Sequence, residues 1–374
     1  MDQKIKPIIK WTGGKYREFA LFKDHIPAFE RYIEPFFGGG GVFFALQPKT
    51  PVIINDKSTD LIRFYQQINQ PQFKLELYQY ASAWEEITEL AKQFWKTLGT
   101  LFVEVVNQEA NTQSLFDAIA LKMPKLISNN DTLKNEKFIV EPVQFTASLK
   151  DSLLDKAIRI QRICKKENRV FNDAELKDHF ETGLKSGMYL FFRILMNKNA
   201  NQQFFSDAQA AANWYFVREF CYASMFRFNA KGEFNIPYGG IAYNKKNFRQ
   251  KVDLIFAEPT KALFSKAEIF NLDFEVLLSS QKLTSTDFIF LDPPYDSEFS
   301  EYDQNAFTQA DQTRLANFLI NCPSKWMVVI KETEFIRKIY THPQIKIVTF
   351  GKNYTYNVRG RNDRKVTHLI ITNY

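Results

Sequence analysis

The sequence predicts an α/β protein with an open sheet, and three observations support this prediction. Residues 288–291, FIFL, form a short apolar run between turn-forming residues, which is typical of a buried central strand. Residues 32–46 have the pattern of a strand, a glycine-rich turn and a helix, and residues 52–54 add a second strand. Alternating strands and helices resume near residue 267 and continue towards the end of the chain.

Seven strands are expected in the sheet. They lie near residues 33, 53, 268, 289 and 328 and over residues 345–350 and 366–372. Between about 70 and 185 no strand pattern is evident, and apolar residues recur at helical spacing between charged ones. We therefore divide the chain into a core of residues 1–70 plus 255–374, a helical insertion of residues 71–185 and a third region of residues 186–254.

Composition indicates a globular protein with a polyanionic partner. The chain has 374 residues, of which 45% are hydrophobic, so it can bury a sizeable core. Lysine and arginine number 49 against 42 aspartates and glutamates, so the formal net charge is +7 and the isoelectric point is about 9.0. This excess of positive charge favours a nucleic acid as the partner.

Cysteine and histidine usage gives no support for a metal site. The three cysteines show no CxxC spacing and no disulfide framework, and the four histidines show no metal-ligand spacing. Residues 1–4 are polar, and no apolar stretch approaches the ~18 residues of a membrane span. An untargeted, soluble, cytoplasmic protein without a membrane partner is therefore expected.

The tetrapeptide Asp292-Pro293-Pro294-Tyr295 directly follows the apolar run at 288–291. Two prolines end the strand and hold the chain extended, and the carboxyl edge of an open α/β sheet is where ligands bind. Asp292 and a carbonyl of the proline pair could accept both hydrogens of an exocyclic amino group on a base, while Tyr295 stacks on the ring. The alternative interpretation is an ordinary strand-ending turn with a surface aspartate.

The glycine-rich turn indicates a nucleotide-like cofactor. Phe37 precedes Gly38 to Gly41, and the bare backbone amides and helix N-terminus would face the ligand. The turn lacks the third glycine of GxGxxG and the Lys-Ser/Thr of a phosphate loop, which favours a cofactor without a pyrophosphate. Asp56, 18 residues beyond Gly38, stands where such folds bind ribose hydroxyls. A helix N-cap is the alternative role for Asp56.

Three other segments are candidates for the same site. Trp11 and Lys15 flank a Gly-Gly turn, and Lys15 could meet a carboxylate. Asp273 and Phe274 follow a predicted strand and could hydrogen-bond to and stack on an adenine ring. Residues 298–307 form a polar, aromatic loop long enough to close over the site. A surface turn and a plain loop start are the alternatives for the first two segments.

A basic, hairpin-like stretch over residues 229–240 is the candidate for contact with a polyanion. The cationic residues around it are Arg227, Lys231, Lys245, Lys246, Arg249 and Lys251. Such side chains bind phosphates, and polar and aromatic neighbours can contact base edges. A solvated basic face is the alternative interpretation.

Taken in order, these motifs resemble the Dam-like D12 class of DNA adenine-N6 methyltransferases, which use S-adenosylmethionine. The matching segments are KWTGGK at 10–15, EPFFGGGGVFF at 34–44, NDKSTDLI at 55–62, FRFNAKGEFNIPYG at 226–239, LDPPY at 291–295 and GRNDRKVTHLIITNY at 360–374. The resemblance covers most of the chain outside about 75–185. It implies a Rossmann-like S-adenosylmethionine-dependent methyltransferase fold with seven strands and an inserted, mostly helical target-recognition region, here residues 186–254.

The resemblance also implies roles for particular residues. Those around the cofactor would be Trp11, Lys15, Phe37, Gly38, Gly40, Asp56, Asp273 and Phe274. Those around an extruded adenine would be Asp292, Pro293, Pro294 and Tyr295. Our own hypothesis adds Tyr354 or Tyr356 as a second ring that stacks on the adenine. In the segment from Tyr222 to Asn229, which would approach the DNA, Tyr222 and Arg227 stand at the family's contact positions. From the basic hairpin we expect Lys231 and Tyr238 to contact DNA as well. Ala223-Ser224 stands where the family typically has Asn-Gly, so a GATC target is not implied.

The expected activity is site-specific transfer of a methyl group from S-adenosylmethionine to N6 of a flipped adenine in double-stranded DNA. The expected setting is a restriction-modification system, in which a monomeric enzyme shares its target site with a cognate restriction endonuclease. A cytosine-N4 methyltransferase is the nearest alternative, although serine would favour it at position 292. A protein-glutamine methyltransferase normally opens the tetrapeptide with asparagine, and a non-catalytic DNA-binding module would need neither Asp292 nor the glycine turn.

Overall fold

The computed structural model describes residues 5–225, 227–295, 307–353 and 365–374. The chain divides into two compact units. The core unit is Met1–Asn69 with Ala257–Tyr374, and the helical unit is Gln70–Phe256. Residues 71–185 and 186–254, which the sequence predicts as two regions, belong to one compact unit, so their separation stays a prediction.

The core unit contains a seven-stranded sheet, which confirms the predicted fold class. The strands are β1 Arg31–Glu34, β2 Val52–Asn55, β3 Ala267–Phe270, β4 Asp287–Leu291, β5 Lys325–Lys331, β6 Lys346–Asn353 and β7 Lys365–Thr372. Their spatial order is β3-β2-β1-β4-β5-β7-β6. The first five pair in parallel, while β7 lies antiparallel to both β5 and β6.

The sheet reverses its strand order between β1 and β4. β2 and β3 lie on one side of β1, and β5 lies on the far side of β4. Ile33 of β1 lies beside Ile289 of β4 in register, and both are fully buried. All five residues of β4 are buried, as expected of a central parallel strand covered on both faces. In open α/β sheets, ligands bind beyond the strand ends at such a switch point.

The core unit also contains helices that alternate with its strands along the chain. Numbered through the whole chain, they are α1 Phe19–Phe22, α2 Gly41–Leu46, α3 Thr59–Gln67, α11 Glu258–Phe264, α12 Phe274–Ser280, α13 Gln309–Ile320 and α14 Glu334–Ile339. Buried side chains of α12 and α13, such as Leu277 and Leu315, join one apolar cluster with Ile289 and Trp326 of the sheet. Burial of these aliphatic and aromatic side chains is the main force that stabilises the layers.

The helical unit contains both long and short helices around an aromatic core. They are α4 Pro71–Val106, α5 Thr112–Ser128, α6 Pro142–Glu167, α7 Asp173–Gln202, α8 Asp207–Phe220, α9 Ile241–Asn244 and α10 Phe248–Ile255. Capping boxes at Asn172 and Ser206 start α7 and α8, because these side chains satisfy backbone amides of the first turn. Tyr80 and Phe192 pack with ring centroids 4.6 Å apart in the core of this unit. No helix of the described chain is long and apolar enough to cross a membrane.

Candidate active site

Asn55, the last residue of β2, joins two loops at the carboxyl edge of the sheet. Its side chain is 1% exposed, and its Nδ2 donates hydrogen bonds of 3.0 Å to the carbonyl oxygens of Pro35 and Leu272. The Leu272 N–H donates in return to Asn55 Oδ1 at 2.8 Å. A buried amide that satisfies several backbone groups fixes their positions. The loops after β1 and β3 are therefore held to the end of β2.

The glycine loop and Asp56 lie together at this edge, as the sequence predicts. Gly38 and Gly40 have φ angles of +50° and +64°, in the left-handed region that favours glycine. A Cβ on Gly38 would lie 2.8 Å from Cδ1 of Trp11, so the indole packs directly against the loop. The Gly38 N–H donates to Asp56 Oδ2 at 2.8 Å, and the Ser58 N–H donates to Oδ1 at 2.9 Å. Burial raises the pKa of Asp56, although these amide bonds oppose the shift.

Phe37 supports the loop from within the core. Its side chain is 2% exposed and meets the rings of Tyr65 and Phe43 edge-on, at centroid distances of 4.8 and 5.4 Å. A Cβ on Gly40 would lie 2.7 Å from Cζ of Phe37. The Phe37 ring thus packs beneath the glycine loop, and its predicted contact with a cofactor stays a prediction.

Asp273 and Phe274 have partners within the core unit. Asp273 caps α12 through the Glu275 N–H at 3.0 Å and accepts two hydrogen bonds from Arg314, at 3.0 and 2.9 Å. Burial acts to raise the pKa of Asp273, but the bonds from Arg314 and Glu275 hold it below its usual value. Phe274 is 3% exposed and packs on Phe36 at 5.5 Å. The predicted role of both residues at an adenine ring stays a prediction.

Lys15 joins the two ends of the tetrapeptide that follows β4. Its side chain is 1% exposed. The Nζ atom lies 2.5 Å from Asp292 Oδ1, 2.8 Å from the Tyr295 hydroxyl and 3.1 Å from the Gly13 carbonyl oxygen. The carboxylate that Lys15 meets is that of Asp292, and the contact of Lys15 with the cofactor, which the resemblance implies, stays a prediction. A buried ammonium with three oxygen partners fixes all of them in position.

Two further residues, which the sequence motifs do not predict, contact the tetrapeptide. His368 of β7 is fully buried, and its Nε2 lies 3.2 Å from the Tyr295 hydroxyl. Gln312 of α13 is also fully buried, and its Nε2 donates to the Pro294 carbonyl oxygen at 2.8 Å. A histidine inside the apolar stretch of β7 is a detectable signal, because histidine is uncommon in a strand core. Gln312 gives no comparable signal.

Glu34 is a second acidic group at the strand ends. The sequence motifs do not predict a separate role for it. It is 2% exposed and accepts a 2.8 Å hydrogen bond from the Tyr32 hydroxyl. Burial raises the pKa of Glu34 well above its usual range, and the negative charge of Asp292 adds to the shift. The protonated form of Glu34 therefore persists to higher pH than that of an ordinary glutamate.

The candidate DNA-contact residues belong to the helical unit, where a small hairpin is present. Antiparallel bridges join Phe228 to Phe234 and Cys221 to Tyr238. Asn229 closes the turn because its Oδ1 accepts from the Lys231 and Glu233 amides at 2.9 and 3.0 Å. The exposed side chains of this segment include Tyr222, Arg227 and Lys231.

The predicted contact of the Tyr238 side chain with DNA is not supported by its position in the structure. Its side chain is 8% exposed, and its hydroxyl donates to Asn244 Oδ1 at 2.9 Å. The ring packs near Tyr189 and Trp84, at centroid distances of 5.8 and 6.1 Å. An aromatic ring that is buried with its hydroxyl satisfied supports the hairpin from inside, and this position does not support a side-chain contact with DNA.

Some predicted features fall outside the described residues. These are Tyr354, Tyr356, Phe226 and the loop of residues 298–306.

Within the described ranges, no three histidine, cysteine, aspartate or glutamate side chains are grouped so that they could hold a metal ion.

Comparison with known proteins identifies the family. The model of the D12 class N6 adenine-specific DNA methyltransferases matches residues 11–146 and 146–355. The chain is 24% identical over 378 residues to the Type II methyltransferase M.CviBI of Paramecium bursaria Chlorella virus NC1A, covering 99% of this chain and 100% of the relative. It is 23% identical over 393 residues to the Type II methyltransferase M.MjaIII of Methanocaldococcus jannaschii, with coverage of 99% and 100%.

A DNA adenine methylase from Serratia marcescens is also similar, with 22% identity over 378 residues that cover 98% of each chain. The family match extends across the glycine loop, Asp56 and the tetrapeptide at Asp292. Since it spans most of the sequence, the chain belongs to the D12 class of N6 adenine-specific DNA methyltransferases.

Proposed function

We propose that this protein transfers the methyl group of S-adenosylmethionine to N6 of an adenine that has been extruded from duplex DNA. The observation that carries this proposal is the buried Lys15 ammonium, 2.5 Å from Asp292 Oδ1 and 2.8 Å from the Tyr295 hydroxyl. It fixes a carboxylate and an aromatic ring at the switch point of the sheet. A flipped base needs a hydrogen-bond acceptor for its amino group and a ring for stacking.

The residues around the glycine loop fit S-adenosylmethionine. Gly38 and Gly40 offer backbone without side chains, and the Trp11 indole lies against Gly38. The Asp56 carboxylate at the end of β2 is suited to ribose hydroxyls. We propose that Trp11, Gly38, Gly40 and Asp56 hold the cofactor. When bound, it supplies a methyl group made electrophilic by a sulfonium cation.

The tetrapeptide would prepare the amino group of adenine for attack. The nitrogen lone pair is delocalised into the ring, and two acceptors that take both amino hydrogens localise it on nitrogen. Asp292 is the first acceptor in this proposal. The Pro294 carbonyl already accepts from Gln312, so the carbonyl of Pro293 is the better second acceptor. Asp292 aligns and polarises the amino group, and the proton leaves only as the methyl group is transferred.

Extrusion of the adenine would be offset by stacking on Tyr295. Unstacking a base costs about a few kcal/mol, which an aromatic ring and contacts to the DNA backbone can return. The Tyr295 hydroxyl is held by Lys15 and lies near His368, so the ring is positioned before the base arrives. We propose Tyr354 or Tyr356 as the ring on the opposite face of the adenine.

Arg227, Asn229 and Lys231 are proposed to contact DNA from the helical unit, together with Tyr222. Two of the relatives are named Type II methyltransferases, which supports a role as the modification enzyme of a restriction-modification system. In that role the enzyme would act as a monomer in the cytoplasm and share its target with a cognate restriction endonuclease.

Mass analysis of nucleosides tests this proposal. DNA from a host that lacks its own adenine methylation is expected to contain N6-methyladenine after expression of the wild-type chain. N4-methylcytosine instead would favour the cytosine-N4 alternative, although Asp292 rather than serine supports adenine. Unmodified DNA, with the protein folded and able to bind duplex DNA, would favour a non-catalytic binding module.

A further inference from the structure

Two successive residues of the helical unit adopt a conformation that side chains disfavour. Ala223 and Ser224 have φ angles of 54° and 52°, in the left-handed region, although neither is glycine. They lie in the turn Tyr222–Ser224, directly after α8 and before the hairpin. Such a conformation persists only where the surrounding structure holds it, and it is concentrated at functional sites.

The side chains on either side of these two residues are exposed. Tyr222 is 50% exposed and Met225 is 42% exposed, so both side chains are accessible to a partner. Apolar wedges of this kind enter between base steps in proteins that open or kink a DNA duplex. The left-handed turn therefore sets the position of Tyr222, a candidate DNA-contacting residue, and of Met225.

Tyr243 holds the turn through its hydroxyl group. The Ala223 N–H donates to the Tyr243 hydroxyl oxygen at 3.1 Å, and the neighbouring Tyr222 N–H donates to the Pro237 carbonyl at 2.8 Å. Burial raises the pKa of the Tyr243 hydroxyl. The ring lies against Gly239, where a Cβ would collide with it, so the backbone approaches Tyr243 closely.

Tyr243 is itself fixed by a lysine. The Nζ atom of Lys246 lies 3.8 Å from the centroid of the Tyr243 ring, in a cation–π contact. The same ammonium bonds to the carbonyl and the carboxylate of Glu219, and this glutamate is 3% exposed. A chain of contacts thus runs from the end of α8 through Lys246 and Tyr243 to the turn.

We propose that Tyr243 is a positioning residue for DNA recognition, which holds the turn of residues 222–225 so that Tyr222 and Met225 are preorganised for duplex DNA. This inference rests on the proposed function. A loop that is ordered before binding loses less conformational entropy in the complex, so its affinity is higher. Tyr243 acts through the Ala223 amide and need not touch the DNA itself.

The test compares Tyr243→Phe with the wild-type protein on unmethylated plasmid DNA. Loss of one neutral hydrogen bond should raise the KM for DNA by about threefold to tenfold. The kcat and the affinity for S-adenosylmethionine should not change. Tyr78→Phe is the matched control, because it removes another tyrosine hydroxyl of the same unit, which donates to Asp253 at 2.6 Å. The control should leave the KM unchanged.

A second substitution separates positioning from general damage to the fold. Glycine adopts a positive φ without support, so Ala223→Gly in the Tyr243→Phe background should restore the KM to within about twofold of wild type. An unchanged KM in Tyr243→Phe, or a raised KM that glycine does not restore, would overturn the inference. If the wild-type chain transfers no methyl group to DNA, the proposed function fails, and the inference fails with it.

Discussion

The Lys15 ammonium lies 2.5 Å from the Asp292 carboxylate, although 277 positions separate the two residues in the chain. The contact joins the segment before α1 to the loop after β4. It places one cation between the acidic and aromatic residues of the tetrapeptide, since the same Nζ atom lies 2.8 Å from the Tyr295 hydroxyl. Lys15 therefore helps to assemble the proposed adenine site.

Removal of this cation should impair catalysis more than folding. In Lys15→Met the alkyl chain is retained, while Asp292 and Tyr295 lose a common partner. Methyl transfer is expected to fall by about a hundredfold, the scale typical of a misplaced reacting group. Tritium transfer from labelled S-adenosylmethionine to DNA measures this. Lys23→Met changes an exposed lysine eight positions later, outside the matching motifs, and should leave the rate near wild type. A wild-type rate in Lys15→Met would contradict the proposed role.

Gln312 should position the proline pair without touching substrate. Gln312→Leu keeps the size of the side chain and removes the donor to the Pro294 carbonyl. The free energy of unfolding is expected to fall by about 1 kcal/mol, the net value of one hydrogen bond. The kcat should fall by about tenfold, because the second acceptor for the amino group shifts.

Binding of S-adenosylmethionine provides the second readout for Gln312→Leu, and it should remain unchanged. Gln309→Leu, at an exposed position of the same helix, is the control. Equal losses in both variants would show that the effect comes from α13 as a whole and not from the contact with Pro294.

Glu34 should make stability depend on pH. Its pKa is raised in the folded protein, so its protonated form is stabilised by folding. This contribution is fully present below the usual value of 4.5 and is lost as the pH rises through the raised pKa. Glu34→Gln keeps an acceptor for the Tyr32 hydroxyl and cannot ionise. It should unfold with a weaker dependence on pH than the wild type across that window.

Urea denaturation at a series of pH values from 4.5 upward measures the effect of Glu34. Glu30→Gln, at an exposed position just before β1, should follow the wild-type profile. If Glu34→Gln and the wild type show the same slope of unfolding free energy against pH, the carboxyl group is not held in its neutral form.

The sequence predicted the strands and motifs because their signals are local. A few neighbouring residues are enough to recognise the apolar run of β4, the glycine loop and Asp56. All three lie at the positions in the fold that the sequence predicts. The contacts that complete the site are different, since Gln312 and His368 meet the tetrapeptide only through the tertiary fold. A buried glutamine on an amphipathic helix has the same local pattern as an exposed one.

Aromatic residues were harder to assign than glycines or carboxylates. Tyr238 lies beside basic residues in the sequence, which suggested DNA contact, yet its ring is buried. Phe37 and Phe274 are likewise buried, with aromatic neighbours that sequence alone does not locate. An aromatic side chain serves equally well in a core or at a ligand, and only its burial in the fold distinguishes the two.

The most direct test of the central claim is the single-turnover rate of methyl transfer to DNA by Asp292→Ala. Loss of the carboxylate should lower this rate by at least about a hundredfold, as expected when a preorganised polar group at the reacting atom is removed. The thermal unfolding midpoint should fall, because the buried Lys15 ammonium loses its carboxylate partner. The affinity for S-adenosylmethionine, measured on the same preparation below that midpoint, should stay close to wild type and shows that the cofactor site is intact. An Asp292→Ala protein that methylates adenine at the wild-type rate would contradict the account.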